Sequence, residues 1–315
     1  MPCQSSTFAY SSSAGLAKRG GSEPQYAWKT GVSGTTESRV ASASDALESR
    51  FLAPLTIAQL SDLHCGSPHF VPDLMERAIA EINDLKPDIV VCSGDLTTFG
   101  FKEEYAAAKR YLDRIACEAL VVIPGNHDSR NVGYVHFEEL FGDRSSVLRA
   151  AGVTVVAVDS TEPDLDHGQI GRGRYGWIEE QFAAEPADLR VFVLHHHLLP
   201  IPGTGRERNV VYDAGDAIEC LQRAAVHLVL SGHKHVPYAW KLENLFVVNT
   251  GTVSTLRLRG HTRPCYNVVE VSGTHVDVWR RYPFHGQERI IQFDLATGEY
   301  EKYTGRIERE VSAKR

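Results

Sequence analysis

From Leu55 onward, short apolar runs alternate with amphipathic stretches. Leu55 to Leu60, Asp88 to Cys92, Leu120 to Ile123, Val153 to Val158, Val191 to Leu194 and Leu228 to Leu230 have the length and composition of buried strands. Between them, Pro72 to Leu85 sets Leu74, Ala78, Ile82 and Leu85 at helical spacing, and Glu103 to Ile115, Trp177 to Ala184 and Asp213 to Ala225 read as further helices. Strands alternating with helices predict an α/β fold with a mixed sheet. The last third of the chain changes pattern. Tyr238 to Leu242, Leu245 to Asn249, Tyr266 to Val271, His275 to Tyr282 and Arg289 to Phe293 are strand-like, with Asn244 and Gly273 at turns. They predict antiparallel hairpins, some completing a second sheet.

Residues 1–50 show neither period and are rich in Ser, Gly, Ala and Thr, so they read as a disordered tail. The alternative is an organelle transit peptide, because the stretch is Ser-rich and carries Lys18, Arg19 and Lys29. No apolar run approaches the ~18 residues of a membrane span. Lys plus Arg is 33 against 40 for Asp plus Glu, a net charge of −7. An acidic chain is a poor general binder of nucleic acid duplex, whose affinity comes from cations neutralising phosphates. Cys3, Cys65, Cys92, Cys117, Cys220 and Cys265 form no C-x-x-C pair. They read as small buried hydrophobes, which suits a reducing cytoplasm.

The 14 histidines change the picture. Five predicted strands end in residues of metal-ligand type: Asp62-Leu63-His64, Gly94-Asp95, Gly125-Asn126-His127-Asp128, His195-His196-His197 and Gly232-His233-Lys234-His235. Ligands of open α/β sheets sit beyond the carboxyl ends of strands, so these side chains are expected to meet at one edge. D-x-H alone is weak, and Gly-Asp is ordinary turn chemistry. Three histidines closing an apolar strand are costly unless each finds a partner. In G-H-x-H, imidazoles two residues apart face one side of an extended segment. Carboxylate, amide oxygen and imidazole suit Mn, Fe, Zn or Mg, and the absence of thiolates argues against a structural zinc site. Two carboxylates leave two divalent cations with net positive charge, so a phosphate ester could bind without a basic surface.

This set of motifs resembles the calcineurin-like metallophosphoesterases. Within them it is most similar to the bacterial class III cyclic-nucleotide phosphodiesterases and their broad-specificity relatives. The resemblance spans about Leu55 to Gly251 and implies a four-layered α/β/β/α sandwich with two metals at the strand ends, Mn or Fe first. It implies a domain at 51–260, with 261–315 as a β-hairpin extension of it. It assigns one metal to Asp62, His64, Asp95 and His235 and the other to Asp95, Asn126, His195 and His233, with Asp95 bridging. The family usually has H-H-P-P or H-x-P where this chain has His195-His196-His197-Leu198-Leu199-Pro200, so His196 is the alternative ligand in a register shifted by one. Two-metal logic then predicts a metal-bridging hydroxide as nucleophile, with charge on phosphorus stabilised by the cations. His127 is expected to contact the phosphate and protonate the leaving alkoxide, and Asp128 to orient His127 or to serve as a turn residue.

The resemblance implies hydrolysis of a small phosphodiester, a cyclic nucleotide or similar. A phosphomonoesterase, a nucleotide-sugar-lipid pyrophosphatase and a non-catalytic scaffold are the alternatives. Open edge strands leave a homodimer possible. Outside the motifs, His69, Arg172, Arg174, Arg206 and Arg208 could reach substrate or simply be solvated, and the cluster Arg257, Arg259, His261 and Arg263 could form a substrate lid, a dimer contact or a solvated face. Phe99, Phe101 and Tyr105 read as core, with base stacking as the alternative.

Overall fold

The computed structural model describes residues 54–185, 189–202, 204, 209–259 and 262–303. All of them fall in the larger of two units of the chain, Ala41–Arg315. The tail read at 1–50 lies outside the described residues, as do His261, Arg206 and Arg208.

Two sheets form. In the first, β1 (Leu55–Leu60), β2 (Ile89–Cys92) and β3 (Leu120–Val122) run parallel. β10 (Tyr266–Ser272), β11 (His275–Tyr282), β12 (Gly286–Asp294) and β13 (Tyr300–Lys302) add to the free edge of β1 as an antiparallel meander. The second sheet holds β5 (Val153–Ala157), β6 (Leu189–Val193), β7 (Leu228–Ser231) and β9 (Leu245–Asn249) in parallel. β4 (Ser146–Ala150) and β8 (Tyr238–Leu242) run antiparallel at its edges. Both sheets are therefore mixed. The hairpin β8–β9 completes the second sheet as expected, whereas β10 to β13 extend the first.

Alternation along the strands builds the layers, because successive side chains face opposite sides of a sheet. Leu55, Ile57, Ile89 and Val91 meet Val153, Val155, Val191, Val193, Leu228 and Leu230 in a core between the sheets. The alternate residues Ala58, Leu60, Val90 and Cys92 face helices α1 (Pro72–Leu85), α2 (Lys102–Leu112) and α3 (Gly133–Phe141) through Met75, Ile82, Tyr105, Ala108 and Phe137. On the far side, Val156, Phe192 and Val229 face α4 (Tyr175–Ala183) and α5 (Ala214–Arg223) through Ile178, Phe182 and Leu221. The order is α/β/β/α. Strands buried on both faces explain why the sequence reads as continuous apolar runs rather than alternation.

Three described elements carry no clear sequence signal. β4 and β13 are exposed or half-exposed edge strands, so their residues lack the apolar run. α3 starts from Val132 at φ 58°, without a capping side chain. It lacks the Ser, Thr, Asp or Asn that usually marks a helix start.

Candidate metal centre

The five motifs converge where the two sheets meet at their carboxyl edge. The first sheet delivers Asp62 and His64 after β1, Asp95 after β2, and Asn126, His127 and Asp128 after β3. The second delivers His195 after β6, and His233 and His235 after β7. All except the partly exposed His127 are buried. The chain turns sharply at these points, with positive φ at Asp62 (54°), His64 (50°), Asp95 (54°), His233 (86°) and His235 (57°). Such conformations cost non-glycine residues energy and persist where the surroundings over-determine them. Here the segments after β1 and β2 are bonded to each other: Asp62 N–H donates to the Gly94 carbonyl and His64 N–H to the Asp95 carbonyl, each at 2.9 Å. The glycines of the motifs are needed for close approach. A Cβ on Gly125 would lie 2.2 Å from Asp95 Oδ1, and one on Gly232 2.0 Å from Ser61 Oγ.

The donor atoms point at one another. His235 Nε2 lies 3.3 Å from Asp62 Oδ1, and His64 Nε2 lies 3.6 Å from Asp95 Oδ2. The other Asp95 oxygen, Oδ1, lies 3.4 Å from His195 Nε2. Asn126 Oδ1 is 3.2 Å from His195 Nε2 and 3.0 Å from His233 Nδ1. Asp95 thus stands between two groups, Asp62–His64–His235 and Asn126–His195–His233.

Whether these residues fit cations is decided by their protons. His64 Nδ1 faces the Thr97 carbonyl at 3.2 Å, and His235 Nδ1 faces the Arg257 carbonyl at 2.6 Å. A carbonyl only accepts, so both Nδ1 atoms carry a hydrogen, and in neutral rings both Nε2 atoms are lone pairs. Those two Nε2 atoms are 2.8 Å apart. Two acceptors at that distance need a positive centre between them, a proton or a metal cation. His195 repeats the pattern: Nδ1 donates to the Ser93 carbonyl at 2.8 Å, leaving Nε2 toward the oxygens of Asp95 and Asn126. Asp62 Oδ1 and His233 Nε2 are buried without hydrogen-bond partners. A ligand histidine whose other nitrogen is tied to a carbonyl is the usual arrangement around a protein-bound metal. The donor set fits two cations.

Electrostatics agree. Burial holds His64 down to about 3, against the pull of Asp95, so its ring is neutral as a ligand must be. Burial opposes ionisation of Asp95, but His195 and His127 outweigh it and keep the carboxyl well below the usual range. Burial works against His195 as well, but Asp95 lifts it to about 9. The proton held there occupies the place a cation would take.

His195, and not His196, faces Asp95 and Asn126. His196 lies behind it, with Nδ1 2.9 Å from Ser160 Oγ and its ring 4.6 Å from that of His233. His197 also packs behind, its Nε2 2.8 Å from the Gly232 carbonyl. His127 stands at the rim, its ring 4.7 Å from that of His64. Its Nδ1 donates to the Thr98 carbonyl at 2.7 Å, with Arg130 Nη1 3.1 Å away.

One expectation needs correcting. Asp128 does not orient His127. Its carboxylate accepts from Leu96 N–H (3.0 Å), Thr97 N–H (2.8 Å), Thr97 Oγ1 (2.7 Å) and Gly125 N–H (2.8 Å), bracing the turn that carries Asp95. Burial and nearby Asp95 push Asp128 up to about 7, against the pull of these donors.

Two residues at the site were not anticipated. Asp166 Oδ1 accepts from Asn126 Nδ2 at 3.3 Å and from Arg130 Nη2 at 2.5 Å. Neither belongs to a motif, and Asp166 is one of several acids in an aperiodic loop. Of the residues left open, Arg172 pairs with Asp216, Arg174 donates to the Asp159 carbonyl, and Tyr105 is buried with its hydroxyl on the Asp128 carbonyl. Phe99 and Phe101 are not core as expected but exposed, because they precede the helix α2 on the surface of the loop after Asp95, and His69, Arg257, Arg259 and Arg263 are exposed too.

Residues 55–237 match the calcineurin-like phosphoesterase family. A protein of Synechococcus sp. named as a probable cyclic nucleotide phosphodiesterase is 28% identical over 58% of this chain and 73% of its own length. One from Arcobacter nitrofigilis, named as a probable glycerophosphodiester phosphodiesterase, is 29% identical over 45% of this chain and 57% of its own. Purple acid phosphatase PPD1 from yellow lupin shares the fold at 14% identity, with a TM-score of 0.54 over 79% of this chain and 53% of that one. Matching strand ends, donor atoms and family profile together establish that this chain belongs to the calcineurin-like phosphoesterases.

Proposed function

We propose that the protein is a dinuclear metal-dependent hydrolase of small phosphodiesters, a cyclic nucleotide or glycerophosphodiester being the first candidates. The observation that carries this reading is the facing of imidazole lone pairs and carboxylate oxygens around Asp95, with donors drawn from both sheets. The similarity to relatives named for those two substrates supports it. Two divalent cations, Mn or Fe before Zn or Mg, would supply an activated water near neutral pH and offset charge on the phosphoryl oxygens. Asp62, His64, Asp95 and His235 would hold one, and Asp95, Asn126, His195 and His233 the other.

The remaining roles belong to the chain itself. His127 gives its Nδ1 hydrogen to Thr98, so Nε2 is the ring atom left to meet the phosphate and the leaving oxygen. When the ring also carries a proton at Nε2, that placement suits a proton donor to the alkoxide, after which His127 is left neutral with its hydrogen on Nδ1. Asp128 fixes the Asp95 turn and so acts through position. Among the described residues no helix is long and apolar enough to cross a membrane, and Cys65, Cys92, Cys117, Cys220 and Cys265 are free thiols. The thiols fit a cytoplasmic setting. A homodimer through an open sheet edge belongs to the same reading and is checked by light scattering.

Manganese-loaded protein is expected to hydrolyse bis-p-nitrophenyl phosphate faster than p-nitrophenyl phosphate. Faster monoester turnover would favour a phosphomonoesterase, and no turnover of either with metal bound would favour a scaffold. A panel of cyclic nucleotides, dinucleotides and glycerophosphodiesters then ranks the natural substrate class.

A further inference from the structure

We propose that Asp166 is a positioning residue that holds the Asn126 amide with its oxygen, and not its nitrogen, toward the metals. The inference rests on the dinuclear reading above and goes beyond it. An amide is nearly symmetric in shape, so hydrogen bonding alone chooses which end points inward. Inside the site, Asn126 Oδ1 faces His195 Nε2 and His233 Nδ1, at 3.2 and 3.0 Å. A turned amide would aim its NH2 hydrogens at the cation and could not ligate it. What holds the other orientation is outside. Asn126 Nδ2 donates to Asp166 Oδ1, and a turned amide would bring its oxygen against that carboxylate.

Asp166 is itself fixed, although its side chain is 55% exposed. Arg130 Nη2 binds the same carboxylate oxygen at 2.5 Å, a charge-assisted contact. The loop that carries Asp166 is stitched to the segment after Asp128. Asn131 N–H donates to Asp164 Oδ1 at 2.9 Å, Asp164 N–H to the Ser129 carbonyl at 3.3 Å, and Ser129 and Thr161 share a hydroxyl bond. On its other side the loop is pinned to the histidine strand. Ser160 Oγ meets His196 Nδ1, and Gly168 is so close that a Cβ there would lie 2.6 Å from the His196 ring. This gives buried His196 a use: it anchors the loop that presents Asp166.

The test measures stepwise manganese affinity, and thermal melting in chelator, for wild type, Asp166→Ala and Asp166→Asn. Asp166→Ala is expected to weaken one of two manganese sites by roughly 10–100-fold, the usual effect of removing a partner of a metal ligand, and the other by less than about threefold. Asp166→Asn should recover most of the loss, because its carbonyl also accepts from Asn126 Nδ2. In chelator, Asp166→Ala should melt within about 2 °C of wild type, since the carboxylate is more than half exposed. In an Asn126→Asp background, where both outer atoms are oxygens, removing Asp166 should cost no affinity. Unchanged affinity in Asp166→Ala, an Asp166→Asn variant as weak as Asp166→Ala, or an undiminished loss in the Asn126→Asp background would each overturn the proposal. Wild-type protein that binds fewer than two manganese ions would overturn the dinuclear reading itself, whereas two ions with an intact Asp166→Ala variant would overturn only this inference.

Discussion

Asp95 turns one oxygen toward His64 and the other toward His195, and its backbone is held at φ 54° between the segments after β1 and β3. Asp95→Ala is therefore expected to lower bound metal below two per chain. Turnover of bis-p-nitrophenyl phosphate should fall by about a thousandfold or more, because nucleophile activation and charge neutralisation are lost together. Metal analysis beside steady-state kinetics checks it; two retained metals with full turnover would refute the bridging role. Neighbours in sequence, His127 and Asp128 are predicted to behave in opposite ways. Asp128 accepts three buried backbone N–H groups and a hydroxyl, and each stranded donor costs about 1–3 kcal/mol. Asp128→Ala should melt about 5–10 °C lower. His127→Ala removes a rim residue with one carbonyl bond, so melting should hold within about 2 °C while kcat falls roughly 100–10,000-fold. Equal melting of the two variants would refute the division of roles.

At the scale of elements, what could be read from the chain depended on how local the cause was. β1, with both faces buried, shows its bounds in an unbroken apolar run, and the motif glycines Gly125 and Gly232 sit where each strand hands its ligand to the site. α3 was invisible because Val132 gives no cap, and β4 because half of it faces solvent. Asp166 was invisible for a different reason: its partners Asn126 and Arg130 are 40 and 36 residues away, and only the folded loop brings them together. Asp128 had two readings, and adjacency to His127 suggested a contact that the fold directs elsewhere, so only the turn reading holds. The turn between β12 and β13, unread in the sequence, joins two local donors to one brought by the fold. Asp294 accepts from Thr274 Oγ1, Ala296 N–H and Thr297 N–H. Partial burial opposes ionisation, but these donors outweigh it and bring the pKa down to about 2. A carboxyl depressed in the folded state stabilises fully above its unfolded pKa and loses that contribution as pH falls through the folded value. Asp294→Asn should therefore cost stability near neutral pH and melt with a flatter dependence between about pH 4 and 2. An acid limb identical to wild type would refute this.

For the whole molecule, the site is a seam. The first sheet supplies Asp62, His64, Asp95 and Asn126, and the second supplies His195, His233 and His235, so each proposed cation is held from both sides. Beneath them the seam has its own fastening: Gln59 of β1 donates to the Ser231 carbonyl of β7 at 3.0 Å and accepts from Asn267 of β10 at 3.0 Å. Below that lies the apolar core between the sheets. The protein should therefore stay folded in chelator. Cations that bind only the folded chain add RT ln(1 + [M]/Kd), about 2.7 kcal/mol per site at a hundredfold excess over Kd. Two sites give about 5 kcal/mol, which raises melting by roughly 10–20 °C. Differential scanning calorimetry in chelator and in manganese measures the gain. Because each cation draws on both sheets, His233→Ala, which strips a ligand from the second sheet, should reduce the gain as much as Asn126→Ala, which strips one from the first. A gain below about 3 °C in the wild type, or a gain erased from one sheet and untouched from the other, would show that the two sheets do not share the cations.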